Sequence, residues 1–282
     1  TMLVSWKNVV LQVGRLFITS FGLPIVEALG GGQTGWARYG ALVGVLVTLC
    51  FWCVAWGTKS YDKVDVVVKR PKVNLLKEMQ LITKNKPLLV LMIAFGTDMI
   101  ANATLLAVDV YYFKYVLGRM DLVPITAMVL TGSGVIANMV VPFLNKKIDK
   151  KKLYWYGSLL SMIPLAILFI KPVVPTYALL VLIMLFGFIS TIPSGLAWAM
   201  LPDCTDYAEY VTGVNGSGVV SSTFSFMNKL CMAIGGALAS FLLGVVGFVP
   251  NEEQTKTVLF AIVLLRFGLP ILGYIASLIS MH

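Results

Sequence analysis

The residues in this 282-residue sequence that could do chemistry are few, and most of them stand where chemistry is expensive: Asp98, Asn102, Asp109 and Lys229 all lie inside apolar runs. An ionisable side chain at the centre of a membrane helix costs about 2.5–3.5 kcal/mol on insertion scales, so each needs a partner or a wet cavity. Lys229 is near the middle of the run 216–248, too deep for its aliphatic stem to carry the ammonium comfortably to water. Asp98, Asn102 and Asp109 share the run 87–116, and helical geometry returns Asp109 to within about 20° of the face of Asp98. Two readings stay open. In one, Asp98 is a hydrogen-bonding group between helices and Asp109 reaches an interface. In the other, the stripe and Lys229 line a water-filled cavity for a polar solute. A cation and carboxylates on different helices suit a polyhydroxylated solute, since both hydrogen-bond hydroxyls. Trp198 offers an apolar plate for the flat face of a sugar ring, or is a belt tryptophan at the interface, four residues before Pro202.

Other chemistries are poorly supplied. The single histidine is His282, so histidine catalysis and multi-histidine metal sites have no material, and no HExxH or GxSxG motif is present. Cys50 and Cys53 form a CxxC within an apolar run, where cysteine behaves as a small hydrophobe and zinc would lack its further ligands; Cys204 and Cys231 stand apart. The glycine groups Gly213-x-x-Gly216-x-Gly218, Gly132-x-Gly134 and Gly235-Gly236 follow no strand and lack the P-loop Lys-Ser/Thr, so they read as close helix packing. No cofactor or metal is expected.

The elements that hold these residues follow from composition. Hydrophobic residues make up 58% of the chain, charged residues only 12%, and the mean hydropathy is +0.87, too little charge to solvate a soluble surface. The net charge of +9 is gathered in short segments between apolar runs, which argues against a nucleic-acid surface. Runs at 8–29, 36–57, 87–116, 121–144, 153–170, 175–202, 216–248 and 258–280 predict an all-α polytopic membrane protein with eight transmembrane helices. The first run, broken by Lys7 and Arg15 and lacking a clear cleavage site, reads as a span rather than a signal peptide. The longest polar gap divides the chain into 1–57 (two helices), 58–86 (a basic linker) and 87–282 (a six-helix bundle).

Thirteen Lys and Arg fall in the gap 58–86 and the segment 145–152, against five in the alternate connections, so the positive-inside rule places those segments and both chain ends in the cytoplasm. The segment Asp203 to Tyr210 falls on the same side, yet it is wholly acidic. Asp203, Asp206 and Glu209 recur at offsets of three and would align if that segment were helical. Their available cations are Lys150, Lys151, Lys152 and Lys7. A bond to Lys7 would cross between the two helical units and close the cytoplasmic exit; a solvated charged loop is the alternative.

The stretch Leu201-Pro202-Asp203-Cys204-Thr205-Asp206-Tyr207-Ala208-Glu209-Tyr210-Val211-Thr212-Gly213 resembles the D-x-x-D-Y-G-E-Y-x-T-G segment of the glycoside-pentoside-hexuronide:cation symporters, a family of the major facilitator superfamily. Asn85-Lys86-Pro87-Leu88, Tyr111 to Gly118, Phe226-Met227-Asn228-Lys229 and Gly247 to Gln254 match in order and spacing. The resemblance covers the last two-thirds of a twelve-helix transporter, starting near its fifth helix. It implies cation-coupled symport of a sugar, glycoside or uronide by alternating access, with sodium or a proton as coupling cation. In the family, the four preceding helices carry the cation carboxylates and much of the sugar site. Pro202 and Ala208 depart from the pattern. Asn8 falls near a sugar-site arginine of some relatives, with Arg15 two turns on as an alternative, so the substrate is left open. A non-transporting membrane remnant or structural membrane protein is the competing expectation. The partners implied are the lipid bilayer and a small polar solute.

Overall fold

The computed structural model describes residues 2–59, 75–213 and 216–282, and all regular structure in them is helical. In chain order the helices are α1 (Met2–Ala28), α2 (Gly32–Thr58), α3 (Leu75–Thr83), α4 (Lys86–Tyr111), α5 (Leu122–Leu144), α6 (Lys150–Ile170), α7 (Thr176–Thr212), α8 (Ser217–Val245), α9 (Lys256–Val263) and α10 (Leu269–Met281). A wide π-type turn, Tyr112–Val116, extends α4, and another, Leu264–Gly268, joins α9 to α10.

Among the described residues, seven helices are long and apolar enough to cross a membrane: α2, α4 with its wide turn, α5, α6, α7, α8 and the continuous α9–α10. The chain is thus a multi-pass membrane protein. The eighth expected span, 8–29, falls on α1 from Asn8 onward; α1, which carries Lys7, Arg15 and Glu27, is not one of the seven. The helix ends follow local rules. Asn85 caps α4 by accepting from Leu88 N at 3.1 Å, with Pro87 in the first turn. Asp149 caps α6 through Lys151 N, and Thr255 caps α9 through Val258 N. Gly213 ends α7 at a φ of 67°, a left-handed conformation that glycine adopts without a Cβ penalty. Between α4 and α5, a bidentate hydrogen bond from the Arg119 guanidinium holds the Asp121 carboxyl below the usual carboxylate range.

Packing divides the chain into two compact units, Thr1–Arg15 with Leu75–His282, and Leu16–Asn74. The smaller unit is a hairpin of the second half of α1 with α2. A Cβ on Gly35 would lie 2.5 Å from Val26 O, so glycine sets that close approach, and Arg38 donates to Leu29 O at 2.9 Å across the turn. Part of the expected linker, residues 60–74, lies outside the described residues; its end is the helix α3, whose Leu81 packs under Gly216.

The larger unit buries two apolar clusters. One holds Leu88, Leu91, Phe95, Tyr154, Leu196, Phe224 and Met281. The other holds Leu105, Val108, Tyr112, Leu165, Leu179, Phe186 and Phe267. Read along α4, α6 and α10, the residues between the clusters are small or polar: Asp98, Ser158, Ser161 and Ser277, all buried. α4 packs along α8 and α10, and glycines set the spacing: a Cβ on Gly235 would lie 2.4 Å from Ile100 O, and one on Gly273 2.6 Å from Ala101 Cβ.

Candidate functional site

The polar stripe of α4 faces the bundle interior. Asp98 is 4% exposed; its Oδ2 accepts from Tyr154 of α6 at 2.6 Å and from Ser277 of α10 at 3.2 Å, and those two hydroxyls are 3.0 Å apart. Asn102, one turn on, donates to the Asp98 carbonyl at 2.9 Å. Three turns along the same face, Asp109 accepts from the Arg266 Nε at 2.8 Å and from its Nη2. Arg266 is buried, and its guanidinium carbon lies 4.2 Å from the Tyr112 ring centroid, 5.0 Å from that of Phe113 and 4.7 Å from that of Phe267. Sequence reasoning overlooked Arg266. Its signal was an arginine in the middle of the apolar run 258–280, the same signal that singled out Lys229. It sits in the wide turn Leu264–Gly268 and is buried there.

Lys229 lies on a different surface. The buried face of α8 runs through Phe224, Cys231, Gly235 and Ala239, and Lys229, two residues before Cys231, points some 200° away and is exposed. Asp98 and Lys229 stand on adjacent helices but are not brought together. Trp198 of α7 is half-buried, edge-on to Phe95 at 6.1 Å and to Phe224 at 5.0 Å, and those two rings stack on each other. The Lys7 ammonium lies 5.6 Å from the Trp198 ring centroid, within cation–π range. The same stretch of α1 brings Asn8 and Gln12, one turn apart, against glycines of α7 and α5. A Cβ on Gly195 would meet Asn138 Oδ1 at 3.4 Å and Asn8 Nδ2 at 3.6 Å, and one on Gly134 would meet Gln12 Nε2 at 2.8 Å. Amides, an indole and an ammonium thus converge around α7. The Arg15 side chain lies outside the described residues.

The acidic segment is no loop: α7 continues through it to Thr212. Lys150 bridges Asp203 at 2.6 Å and donates to Ala199 O at 3.4 Å, so the first acidic residue is tied to α6, within the bundle. Lys151 donates to His282 O at 3.4 Å, and Lys152, Asp206 and Glu209 are exposed. Lys7 stacks on Trp198. Asn85, buried, adds a bond that the sequence reading missed: it donates to Cys204 O at 2.8 Å, stapling the start of α4 to the acidic turn of α7. Among the described residues no group of three His, Cys, Asp or Glu could hold a metal ion.

The family model for MFS/sugar transport proteins matches residues 1–282. The chain is 28% identical over 274 residues to the isoprimeverose transporter of Lactiplantibacillus pentosus, covering 95% of this chain and 57% of that protein. It is 31% identical over 284 residues to a putative sulfoquinovose importer of Salmonella typhimurium (98% and 58%). It is 29% identical over 229 residues to a glucuronide carrier protein homolog of Escherichia coli (80% and 48%). The chain spans about half the length of these curated relatives. A multi-pass helical bundle matched from one end to the other by a single family model, with a transporter, an importer and a carrier homolog among its relatives, settles the membership: the chain belongs to the sugar-transport family of the major facilitator superfamily, the superfamily of the glycoside-pentoside-hexuronide:cation symporters.

Proposed function

We propose that this chain forms part of a secondary transporter that moves a sugar, glycoside or uronide by cation-coupled symport and alternating access. The observation that carries this is the family match over all 282 residues. The chemistry of the α7 surface agrees with it. Trp198 supplies a ring face, Lys7 supplies an ammonium group over it, and Asn102 is a further polar group on the neighbouring α4, while Lys229 stands apart on the exposed face of α8. The named relatives include an isoprimeverose transporter, a putative sulfoquinovose importer and a glucuronide carrier protein homolog. A cationic side chain beside an aromatic plate would suit an anionic sugar.

In this reading the end bearing Lys150, Lys151 and Lys152 faces the cytoplasm, as do both chain ends, and the two-helix and six-helix parts at 1–57 and 87–282 belong to opposite halves of the transporter. Asp203, Asp206 and Glu209 with Lys7, Lys151 and Lys152 form the cytoplasmic gate region, in which the Lys150–Asp203 bond holds α6 to α7. The test is uptake by proteoliposomes carrying the 282-residue chain, with labelled isoprimeverose, a glucuronide and sulfoquinovose, under an imposed sodium or proton gradient. Gradient-dependent uptake of any one supports the reading. Binding without uptake in either gradient would favour a non-transporting membrane protein. Neither binding nor uptake of all three would overturn the assignment of sugar-type solutes.

A further inference from the structure

The middle of the six-helix bundle presents a paradox that the solute reading does not use. Two apolar clusters enclose a layer in which Asp98, Ser158 and Ser277 are buried, and that layer contains a carboxyl group. Two carboxyls on one face of α4 have opposite surroundings. Asp109 is given a guanidinium; Asp98 is given only hydroxyls. Among the described residues Asp98 has no ion-pair partner, and the groups around it are Tyr154 from α6, Tyr274 and Ser277 from α10 and Asn102 from α4 itself. None of these is a cation. Its two donors, Tyr154 and Ser277, both go to Oδ2, while Oδ1 is buried with no hydrogen-bond partner.

We propose that Asp98 is a proton-binding site inside the bundle, holding its carboxyl as the neutral acid, with Tyr154 and Ser277 donating to Oδ2 and the bound proton on Oδ1. An ionised carboxylate here would place a full charge between two apolar clusters, with one oxygen undonated and no counter-ion, which is the costliest form of buried polar group. The neutral acid carries no charge and leaves one O–H donor unmet, a far smaller cost than an unpaired buried carboxylate. The site is a proton site rather than a sodium site because the one carboxyl, Asp98 itself, is surrounded by the hydroxyls of Tyr154, Tyr274 and Ser277 and the Asn102 amide; the donors already bonded to Oδ2 point their hydrogens, not their lone pairs, at it. Binding is a simple protonation: a proton joins the carboxylate oxygen, and release returns it with no other bond made or broken. The proposal is independent of which solute is carried.

Infrared difference spectroscopy of the full chain in lipid, titrated with acid and base, tests it. At neutral pH the parent should show a C=O stretching band of a protonated carboxyl that disappears in Asp98→Asn, a variant isosteric with the neutral acid and expected to melt close to the parent. Superimposable parent and variant spectra would overturn the proposal. At fixed pH, replacing choline by sodium should leave the band unchanged; its loss on adding sodium would overturn the assignment in favour of a sodium site. Should Asp98→Asn fail to fold, Tyr154→Phe removes one hydrogen bond to the carboxyl, and the band should move to higher frequency. An unmoved band in that variant also counts against the proposal.

Discussion

Arg266 and Asp109 illustrate how a single pair can govern a membrane bundle. The guanidinium is 5% exposed and the carboxylate 22%, so each is taken largely out of solvent and stabilised mainly by the other. Removing one partner of a buried pair costs about 3–5 kcal/mol, whereas removing both often costs far less. Arg266→Met should therefore lower the melting temperature in detergent more than Arg266→Met combined with Asp109→Leu, and a double variant as unstable as the single would contradict the pairing. The sequence showed that Asp98 and Asp109 share a helix face, because that follows from 100° per residue. It could not show what they face. Ser277 is 179 residues from Asp98 in sequence and Arg266 is 157 residues from Asp109, so the partners are set by which helices are neighbours. Asn85 was readable as part of a matching stretch, but its second role, the bond to the Cys204 carbonyl, again depends on tertiary placement. Asn85→Ala should cost about 1 kcal/mol for the lost cap, and more if the Cys204 carbonyl finds no other donor. Thermal unfolding of the variant beside Cys204→Ser, which keeps that carbonyl, checks the origin of the loss.

At the scale of helices, hydropathy located the spans well, because a bilayer demands long apolar segments whatever their neighbours. The run 121–144 is the helix Leu122–Leu144, and 216–248 is Ser217–Val245. The reading fell short where polar residues stay helical: 175–202 ends a full ten residues before α7 does, since hydropathy marks the edge of the apolar stretch and not the end of the hydrogen-bonded turns. Close packing of α8 on α4 leads to a prediction from neighbouring positions. A Cβ on Gly235 would clash with Ile100 O, whereas Gly236 faces open space. Gly235→Ala should cost about 1–3 kcal/mol by overpacking, while Gly236→Ala should be neutral or slightly favourable through helix propensity. Comparing the two melting curves isolates the contact from the change of residue type, and equal melting temperatures would refute it.

For the whole molecule, the exposed position of Lys229 separates stability from function. No buried contact is lost in Lys229→Ala, so its melting temperature should match the parent. If the ammonium belongs to the solute path, affinity for an anionic sugar should fall about tenfold, equivalent to about 1.4 kcal/mol. Titration calorimetry with the solute that gives uptake checks this, and unchanged affinity would remove Lys229 from the site. One feature of the fold bears on how movement would be felt at the membrane surface. With 37 residues, α7 is about 55 Å long, against a hydrocarbon core of about 30 Å, so it acts as a lever arm projecting beyond the lipid. Pro193, against which Gly157 of α6 packs with no room for a Cβ, is a natural fulcrum, because proline removes a backbone hydrogen bond and permits bending there. Ten residues along the arm, a tilt of about 10° displaces Asp203 by roughly 2–3 Å. That is enough to part a 2.6 Å ion pair with Lys150, so a small angular change in mid-membrane would be read at the surface as a latch opening.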